Sequence, residues 1–558
     1  MRRIPQPSPV TDTKAVAATS RRPASDPPYT PRVTDAVVIG SGPNGLVAAN
    51  LLADAGWRVV VLEAQPEPGG AVRSGQLTKP GFVHDRFSAF YPLAAASPAL
   101  RGLRLEEHGL RWCRAPLVVA HPNTNGRVAV LSRDLDETAA SLAAWDAGDA
   151  AAWLELSDEW RRIGTAFLEA MLAPFPPLRG GARLVRAVGA RDLLRFARFV
   201  LLPVRRMAAE RFRGEGAALL LTGLALHTDL TIDAPGGGAP AWLLAGTGQD
   251  HGFPVPEGGA GELTAALVRR LEALGGAVRC EARVASVVVR DRRAVAVRLA
   301  GGDEIAAPRG VLADVGAPAL YRDLVGEEHL PPRFVADLAH FEYDHATFKV
   351  DWALDGTVPW RDEPASRAGT VHLVDSLDHA TEYTAQLMTG RVPARPYALV
   401  GQMNVADPTR SPEGTSTLWA YTHVPHRVRG DAGEDGITGA WDASEADRFA
   451  DRLEAVVESY APGFRSTIAA RHVTTPADLE AADANLVGGA VAGGTSAIYQ
   501  QLVFRPTPGL GRAETPIRGL YLASASAHPG GGVHGACGAN AARAALAADR
   551  IRRLVGRR

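Results

Sequence analysis

Asp35-Ala-Val-Val-Ile-Gly-Ser-Gly-Pro-Asn-Gly45 is an apolar run that closes in Gly-x-Gly-x-x-Gly. The pattern predicts a strand over 35–39 turning directly into a helix over 46–55, the opening of a Rossmann-type α/β domain. Each glycine answers a separate requirement: Gly40 makes the tight turn, Gly42 lets backbone approach a pyrophosphate, and Gly45 lets helix and strand pack closely. Unpaired N–H groups of the first helical turn then face the phosphates, where the helix dipole favours negative charge. A second strand over 58–62 ends at Glu63, 23 residues beyond Gly40 and placed to accept hydrogen bonds from a ribose hydroxyl. Ser41 and Asn44 lie inside the same turn and count among its candidate contacts. Taken alone, this turn suits a nicotinamide or a flavin dinucleotide equally well.

The loop that follows, Pro66-Glu-Pro-Gly-Gly-Ala-Val-Arg73, again offers adjacent glycines, Gly69 and Gly70, with Arg73 three residues on to neutralise a cofactor phosphate. The 558 residues carry 60 basic and 61 acidic side chains, so no global field recruits nucleic acid. Cys113, Cys280 and Cys537 are odd in number and far apart, which argues for a reducing compartment and against a disulfide scaffold. A cytoplasmic protein is expected, because Arg2-Arg3 and Arg21-Arg22 are not followed by the apolar stretch of an export signal. No uninterrupted apolar run of about 18 residues offers a membrane span either. Lysine occurs only as Lys14, Lys79 and Lys349; GC-rich codon usage explains the scarcity, and it makes each lysine worth inspecting.

Residues 1–33, rich in Pro, Ser, Thr and Arg without hydrophobic periodicity, read as a disordered tail. From 103 to 250, long helical patterns carrying Trp145, Trp153 and Trp160 replace most strand signals. Within them, residues 179–213 hold ten arginines against Asp192 and Glu210, interleaved with leucines and phenylalanines. Two readings fit: helices lying on an anionic membrane surface, or solvated helices covering a core. A glycine turn over 255–263 then opens a helix through 274, followed by strands over 277–280, 285–289 and 294–299 and an apolar stretch over 310–315. A second set of strands, over 345–354, 398–405 and 417–423, occupies 335–505. A strand over 520–524, the turn Gly530-Gly-Gly532 and an Ala-rich helix over 533–554 come last. The expected organisation is a discontinuous cofactor domain from 34–102, 251–334 and 506–558, with a substrate domain inserted as 103–250 and 335–505.

These pieces resemble the FAD-dependent phytoene desaturase-like oxidoreductases, relatives of the flavin amine oxidases and of the GDP-dissociation inhibitors. The carriers are residues 40–45, Glu63, Pro68-Gly-Gly-Ala71, Pro256-Glu-Gly-Gly-Ala-Gly261, Gly519-Leu-Tyr-Leu and His528-Pro-Gly-Gly-Gly-Val533, and the likeness runs from about residue 33 to 548. It implies a Rossmann-type FAD-binding domain with a discontinuous inserted α+β substrate domain, and FAD in an extended pose. Gly40, Gly42, Gly45 and Glu63 then serve the ADP half, Gly69, Gly70 and Arg73 the ribityl and pyrophosphate, and the Val284 backbone the adenine. Gly531, Gly532 and Val533, taken as the start of the last helix, fall beside the flavin pyrimidine edge, where N–H groups stabilise the negative charge of the reduced ring. Ser524 stands where relatives often carry glycine and is a further candidate contact.

Flavin enzymes can work by geometry, so a dedicated base need not exist. Lys349, in Ala346-Thr-Phe-Lys-Val-Asp-Trp-Ala-Leu354 and followed by Trp360, resembles the lysine that flavin amine oxidases use, through a water, against flavin N5. Its competing reading is a solvent-facing lysine on a half-buried strand. His528 is the second catalytic candidate; it and His534 flank the glycine turn, and either serves equally well as a structural histidine. Cys537 reads as an activated thiol or as core packing. With these three side chains and no fourth ligand in reach, no metal is expected. His84 and Asp85 fall on the substrate side without a spacing argument for a role. The expected activity is hydride removal from a carbon centre of a small hydrophobic organic substrate, with oxygen or a quinone-like acceptor taking the electrons. The alternatives are a carotenoid or isoprenoid desaturase in peripheral contact with a membrane, and a non-catalytic prenyl carrier like the GDP-dissociation inhibitors.

Overall fold

A computed structural model describes residues 34–555, and the tail expected over 1–33 lies outside them. Ala36–Ile39 and Val59–Leu62 are wholly buried apolar runs, as strands covered on both faces must be. They pair in parallel inside a five-stranded sheet ordered Leu520–Leu522, Gly310–Ala313, Ala36–Ile39, Val59–Leu62, Ala277–Arg279. Helix Pro43–Asp54 starts earlier than its periodicity suggests. Gly42 is its extended N-cap and Pro43 sits in the first turn, where a missing N–H costs nothing.

The last helix departs from expectation in the other direction. It runs Ala536–Val555, and Gly531, Gly532 and Val533 belong to the irregular turn before it. The reason is backbone: Gly530, Gly532 and Gly535 take φ of 105°, 107° and 66°, a region closed to a right-handed helix. This helix lies along Pro43–Asp54, and a Cβ on Gly538 would overlap the Asn44 carbonyl oxygen.

A second sheet has seven strands in the order Ile468–Thr474, Ala346–Leu354, Ser416–Val424, Ala398–Gln402, Ala368–Leu373, Leu117–Pro122, Val128–Leu131. Neighbours are antiparallel except Ala368–Leu373 with Leu117–Pro122, which are parallel. The strand-poor expectation for 103–250 is thus corrected by the hairpin turning at 123–126. Its Asn-Thr-Asn-Gly turn between short apolar runs was overshadowed by the helical text around it. One face of the sheet packs Phe348, Val350, Trp352, Val371 and Ala420 onto helix Ala443–Tyr460. By the period of two, the opposite face carries Lys349, Asp351, Tyr421, His423 and His372. Helix Glu215–Ala225 crosses that face, meeting His372 at Gly223.

Residues 179–213 resolve into helices ending with Leu178–Val188, Leu193–Leu201 and Val204–Arg211. Val204 and Met207 are buried, and Arg198 and Arg206 pair with Glu210, as solvated helices over a core would do. Leu178 and Leu194 nevertheless stay 76% and 85% exposed. Among the described residues, no helix is long and apolar enough to cross a membrane.

The helix contact at Gly538 makes a direct prediction. Gly538→Ala forces Pro43–Asp54 away from Ala536–Val555 and should lower stability by about 1–3 kcal/mol, seen as a lower urea midpoint at unchanged slope. An unchanged midpoint would show that the two helices have room to spare.

Candidate cofactor and catalytic site

At the carboxyl edge of the parallel sheet, Gly40 takes φ 88°, and a Cβ on Gly45 would overlap the Gly40 carbonyl oxygen. Glu63 is built into the same turn: one oxygen accepts the Ser41 N–H at 2.9 Å and the Ser41 hydroxyl at 2.6 Å. Its other oxygen accepts the Gln65 N–H at 2.9 Å. The Gly69 N–H donates to Ser41 Oγ at 3.1 Å, and a Cβ on Gly70 would lie 3.0 Å from the Gly42 Cα, so the two glycine loops form one unit. Arg73 is buried, its guanidinium donating to the Gly70 carbonyl at 2.9 Å and the Ala482 carbonyl at 2.8 Å. The Ala282 N–H donates to the Glu63 carbonyl at 2.7 Å, which sets Val284, at the head of strand Val284–Arg290, close to this acid.

Asp314, directly after strand Gly310–Ala313, is a site residue that the sequence reading passed over. Its Oδ2 accepts the Gly45 N–H at 2.7 Å, and a Cβ on Gly42 would lie 2.6 Å from that oxygen. Burial, with the neighbouring Asp483 and Glu63 charges, pushes its carboxyl up to about 8. Asp314 is therefore largely neutral at neutral pH and does not repel an anion. The signal was a lone acid at the end of an apolar stretch destined to lie beside the glycine turn. A glycine cradle, a neutral acid, the buried Arg73 and the unpartnered, buried Asn44 Oδ1 together fit a dinucleotide cofactor.

Lys349 is 3% exposed, which overturns its solvent-facing reading. Its Nζ donates to both oxygens of Asp351 on the same strand and lies 5.9 Å from the centre of the Trp419 ring. Asp344, just before that strand, accepts the N–H groups of Val491, Ala492 and Gly494 at 2.8, 2.9 and 3.3 Å. Ala346 bridges Ala490. Segment 490–495 in turn touches the glycine turn, because a Cβ on Gly531 would lie 2.8 Å from the Ala492 carbonyl oxygen. Buried Arg505, also unforeseen, clamps this junction by donating to the carbonyls of Ala492, Gly494, Thr495 and Ala525. The strand of Lys349 and the turn of His528 thus meet through one connecting segment.

The turn residues have separate fates. His528 Nε2 lies 2.9 Å from the Ala173 carbonyl, which only accepts, so that nitrogen carries the hydrogen and the buried Nδ1 is bare and unpartnered. Burial lowers its pKa to about 4, so it is neutral and not a proton donor of imidazolium type. His534 Nδ1 accepts the Ala536 N–H at 3.0 Å and is the structural histidine of the turn. The activated-thiol reading of Cys537 fails: burial pushes the thiol up to about 12. The Ser524 hydroxyl accepts the Ser526 N–H at 3.3 Å and so serves its own turn. Among the described residues, no three His, Cys, Asp or Glu side chains form a metal-holding group.

The pH behaviour of Asp314 is testable. The unfolded chain releases this proton near pH 4 and the folded chain only near about 8. Asp314 thus costs stability progressively as pH rises through that window, and the loss is constant above it. Asp314→Asn keeps an acceptor for the Gly45 N–H and should melt above the parent near pH 8, the gap closing toward pH 4. A gap independent of pH would refute the shift.

Comparison with known proteins agrees with this geometry. Pyridine nucleotide-disulfide oxidoreductase domain-containing protein 2 of Rattus norvegicus is 28% identical over 548 residues, covering 91% of this chain and 92% of that protein. A lycopene-forming phytoene desaturase of Pseudescherichia vulneris is 26% identical over 523 residues, covering 91% and 98%. The structure of an oxidoreductase from Methanosarcina mazei covers 92% of this chain and 99% of its own at a TM-score of 0.58 and 16% identity, a likeness of fold alone. The family model of flavin containing amine oxidoreductases matches residues 44–546, and the chain belongs to that family of flavin-dependent oxidoreductases.

Proposed function

We propose that the protein is an FAD-dependent oxidoreductase that takes hydride from a carbon centre of a hydrophobic organic substrate bearing a hydrogen-bonding group. Oxygen or a quinone-like acceptor receives the electrons. Residues 34–102, 251–334 and 506–558 form the cofactor domain in this reading, and 103–250 and 335–505 the substrate domain. In support, every strand of the five-stranded sheet comes from the first set, and every strand of the seven-stranded sheet from the second. Membership in a family of oxidoreductases sets aside the prenyl-carrier reading.

Bound FAD supplies the hydride acceptor and the route for electrons out. For the cofactor, Glu63 and Ser41 offer hydrogen bonds to ribose hydroxyls, Asn44 and the glycine turn face the diphosphate, and Arg73 offsets its charge. Lys349 holds a proton at Nζ for the reacting centre. The buried Lys349–Asp351 pair is the observation that carries the reading. Desolvating two charges costs several kcal/mol per ion, more than an apolar pair would, so the pair marks a site rather than a core. On the same face of the sheet, the Thr347 and Thr370 hydroxyls are buried without partners. Leaving each unpaired costs about 1–3 kcal/mol, and a pure hydrocarbon would leave them so. That favours an alcohol or amine function on the substrate over a carotenoid, with Trp419 and Tyr421 for its apolar part.

A second reading rests on the exposed leucines of 178–201. Leu178 and Leu194, set among arginines, suit peripheral docking on an anionic membrane. The purified protein should then sediment with anionic vesicles, and Arg→Glu changes at Arg191 and Arg195 should abolish this; absence of sedimentation would contradict it.

Lys349→Met should keep the yellow colour of bound flavin while slowing reduction by substrate or reoxidation by roughly 10²-fold. Unchanged rates of both half-reactions would exclude Lys349 from the chemistry. In anaerobic bleaching, hydroxylated terpenoids or amines should reduce the flavin and carotenoids should not; the reverse order would overturn the substrate class.

A further inference from the structure

Lys349 and Asp351 do not end in each other. His84, on the two-residue strand His84–Asp85, places Nδ1 3.5 Å from Asp351 Oδ1, a small turn of the ring short of a formed hydrogen bond and with no other partner, and its Nε2 lies 2.8 Å from the Thr78 hydroxyl. Lys349, Asp351 and His84 are buried, whereas Thr78 is half-buried and its neighbour Lys79 is exposed. Four polar groups thus lead from the interior face of the seven-stranded sheet toward the surface. His84 is held in place by its neighbour. Asp85 accepts the Ser74 hydroxyl at 2.8 Å, the Ala260 N–H at 2.7 Å and the Arg410 guanidinium at 3.1 Å. Arg410 is itself wholly buried and tied to Asp407 and the Pro256 carbonyl. Strand His84–Asp85 also pairs with Ser74–Gly75, the continuation of the loop that carries Arg73, so the line is anchored to the dinucleotide turn.

We propose that Thr78, His84, Asp351 and Lys349 form a proton line that recharges Lys349 Nζ from solvent. Thr78 gives its O–H proton to His84 Nε2 and takes another from water. The Nδ1–H of His84 passes to the Asp351 carboxylate, and from there to an Nζ that has lost its proton. Each step breaks one O–H or N–H bond and makes another, so one proton enters at Thr78 and one arrives at Nζ, with no change in electrons. The demand comes from the reduction of an oxygen- or quinone-class acceptor, which consumes protons. Asp351 suits the middle position: against the upward push of burial, the Lys349 ammonium and His84 hold its carboxyl below the usual range, so it returns to the ionised form after each transfer. The other titratable groups on this face are His472, across from Asp351 on strand Ile468–Thr474, Tyr421, across from Lys349, and, farther along the sheet, His423 and His372. His84 and Asp351 are positioning residues in this scheme, and the scheme rests on the reading of Lys349 under Proposed function.

The flavin-loaded protein is first reduced without oxygen and then mixed with oxygen in weakly buffered solution while a pH indicator follows proton uptake. In the parent, uptake should keep pace with the return of the yellow colour. His84→Gln, which preserves a polar side chain but cannot relay, should make uptake lag roughly tenfold or more at an unchanged melting temperature. Thr78→Val, at the half-buried end where folding is not at stake, should lag as well. Parent-like uptake in both variants, or a lag confined to His472→Gln, would overturn the line. Unchanged half-reactions in Lys349→Met would instead overturn the reading on which it rests.

Discussion

No side chain fits where Gly40, Gly42 and Gly45 meet Asp314, and the arrangement of the site follows from that restriction. A Cβ at Gly40 would lie 2.7 Å from the Asp314 carbonyl oxygen, and one at Gly42 as close to its carboxyl. Only a bare backbone lets strand Ala36–Ile39 turn into helix Pro43–Asp54 beside the end of strand Gly310–Ala313. Once the turn closes, Ser41 reaches Glu63 and Gly69, the second loop docks, and Arg73 hands the chain to the ribbon of His84 and Asp85.

The chain buries charge around this frame to an extent that stability alone does not ask for. Glu63, Asp314 and Asp483 crowd one end, eased by protonation of Asp314 and by Arg73. Asp85, Arg410 and Asp407 form a closed, fully buried trio. Arg505 is different, because its guanidinium is satisfied by carbonyl oxygens, which leaves a buried cation under the glycine turn of His528. In the proposed FAD pose, a fixed positive charge there is preorganised for the negative charge of the reduced ring.

What could be read from the sequence was local, and what could not was distant. The glycine turn, Glu63 and the Gly69–Gly70 loop are spacings within one stretch of chain. The three pieces of the parallel sheet each kept their own strand or helix pattern. Lys349 stood out because lysine is scarce, although its burial needed the seven-stranded sheet to be seen. Asp314 reaches the turn across 269 residues of sequence, and His84 likewise acquires meaning only from Asp351 far along the chain, whereas Arg505 binds carbonyls within 20 residues of it on irregular backbone that no periodicity announces. The late start of the last helix was hidden by the conformational freedom of Gly530, Gly532 and Gly535, and the hairpin over 117–131 by the helices that surround it.

The central claim is that one FAD spans from the glycine turn of residues 40–45 to the turn of residues 528–533, beside Lys349. A crystal structure of the protein grown with FAD tests this most directly. The account predicts adenosine density at Glu63 and Val284 and the flavin ring along the His528 turn on the side of Lys349. A flavin ring lying away from that turn, or a dinucleotide reaching neither Lys349 nor His528, would contradict it.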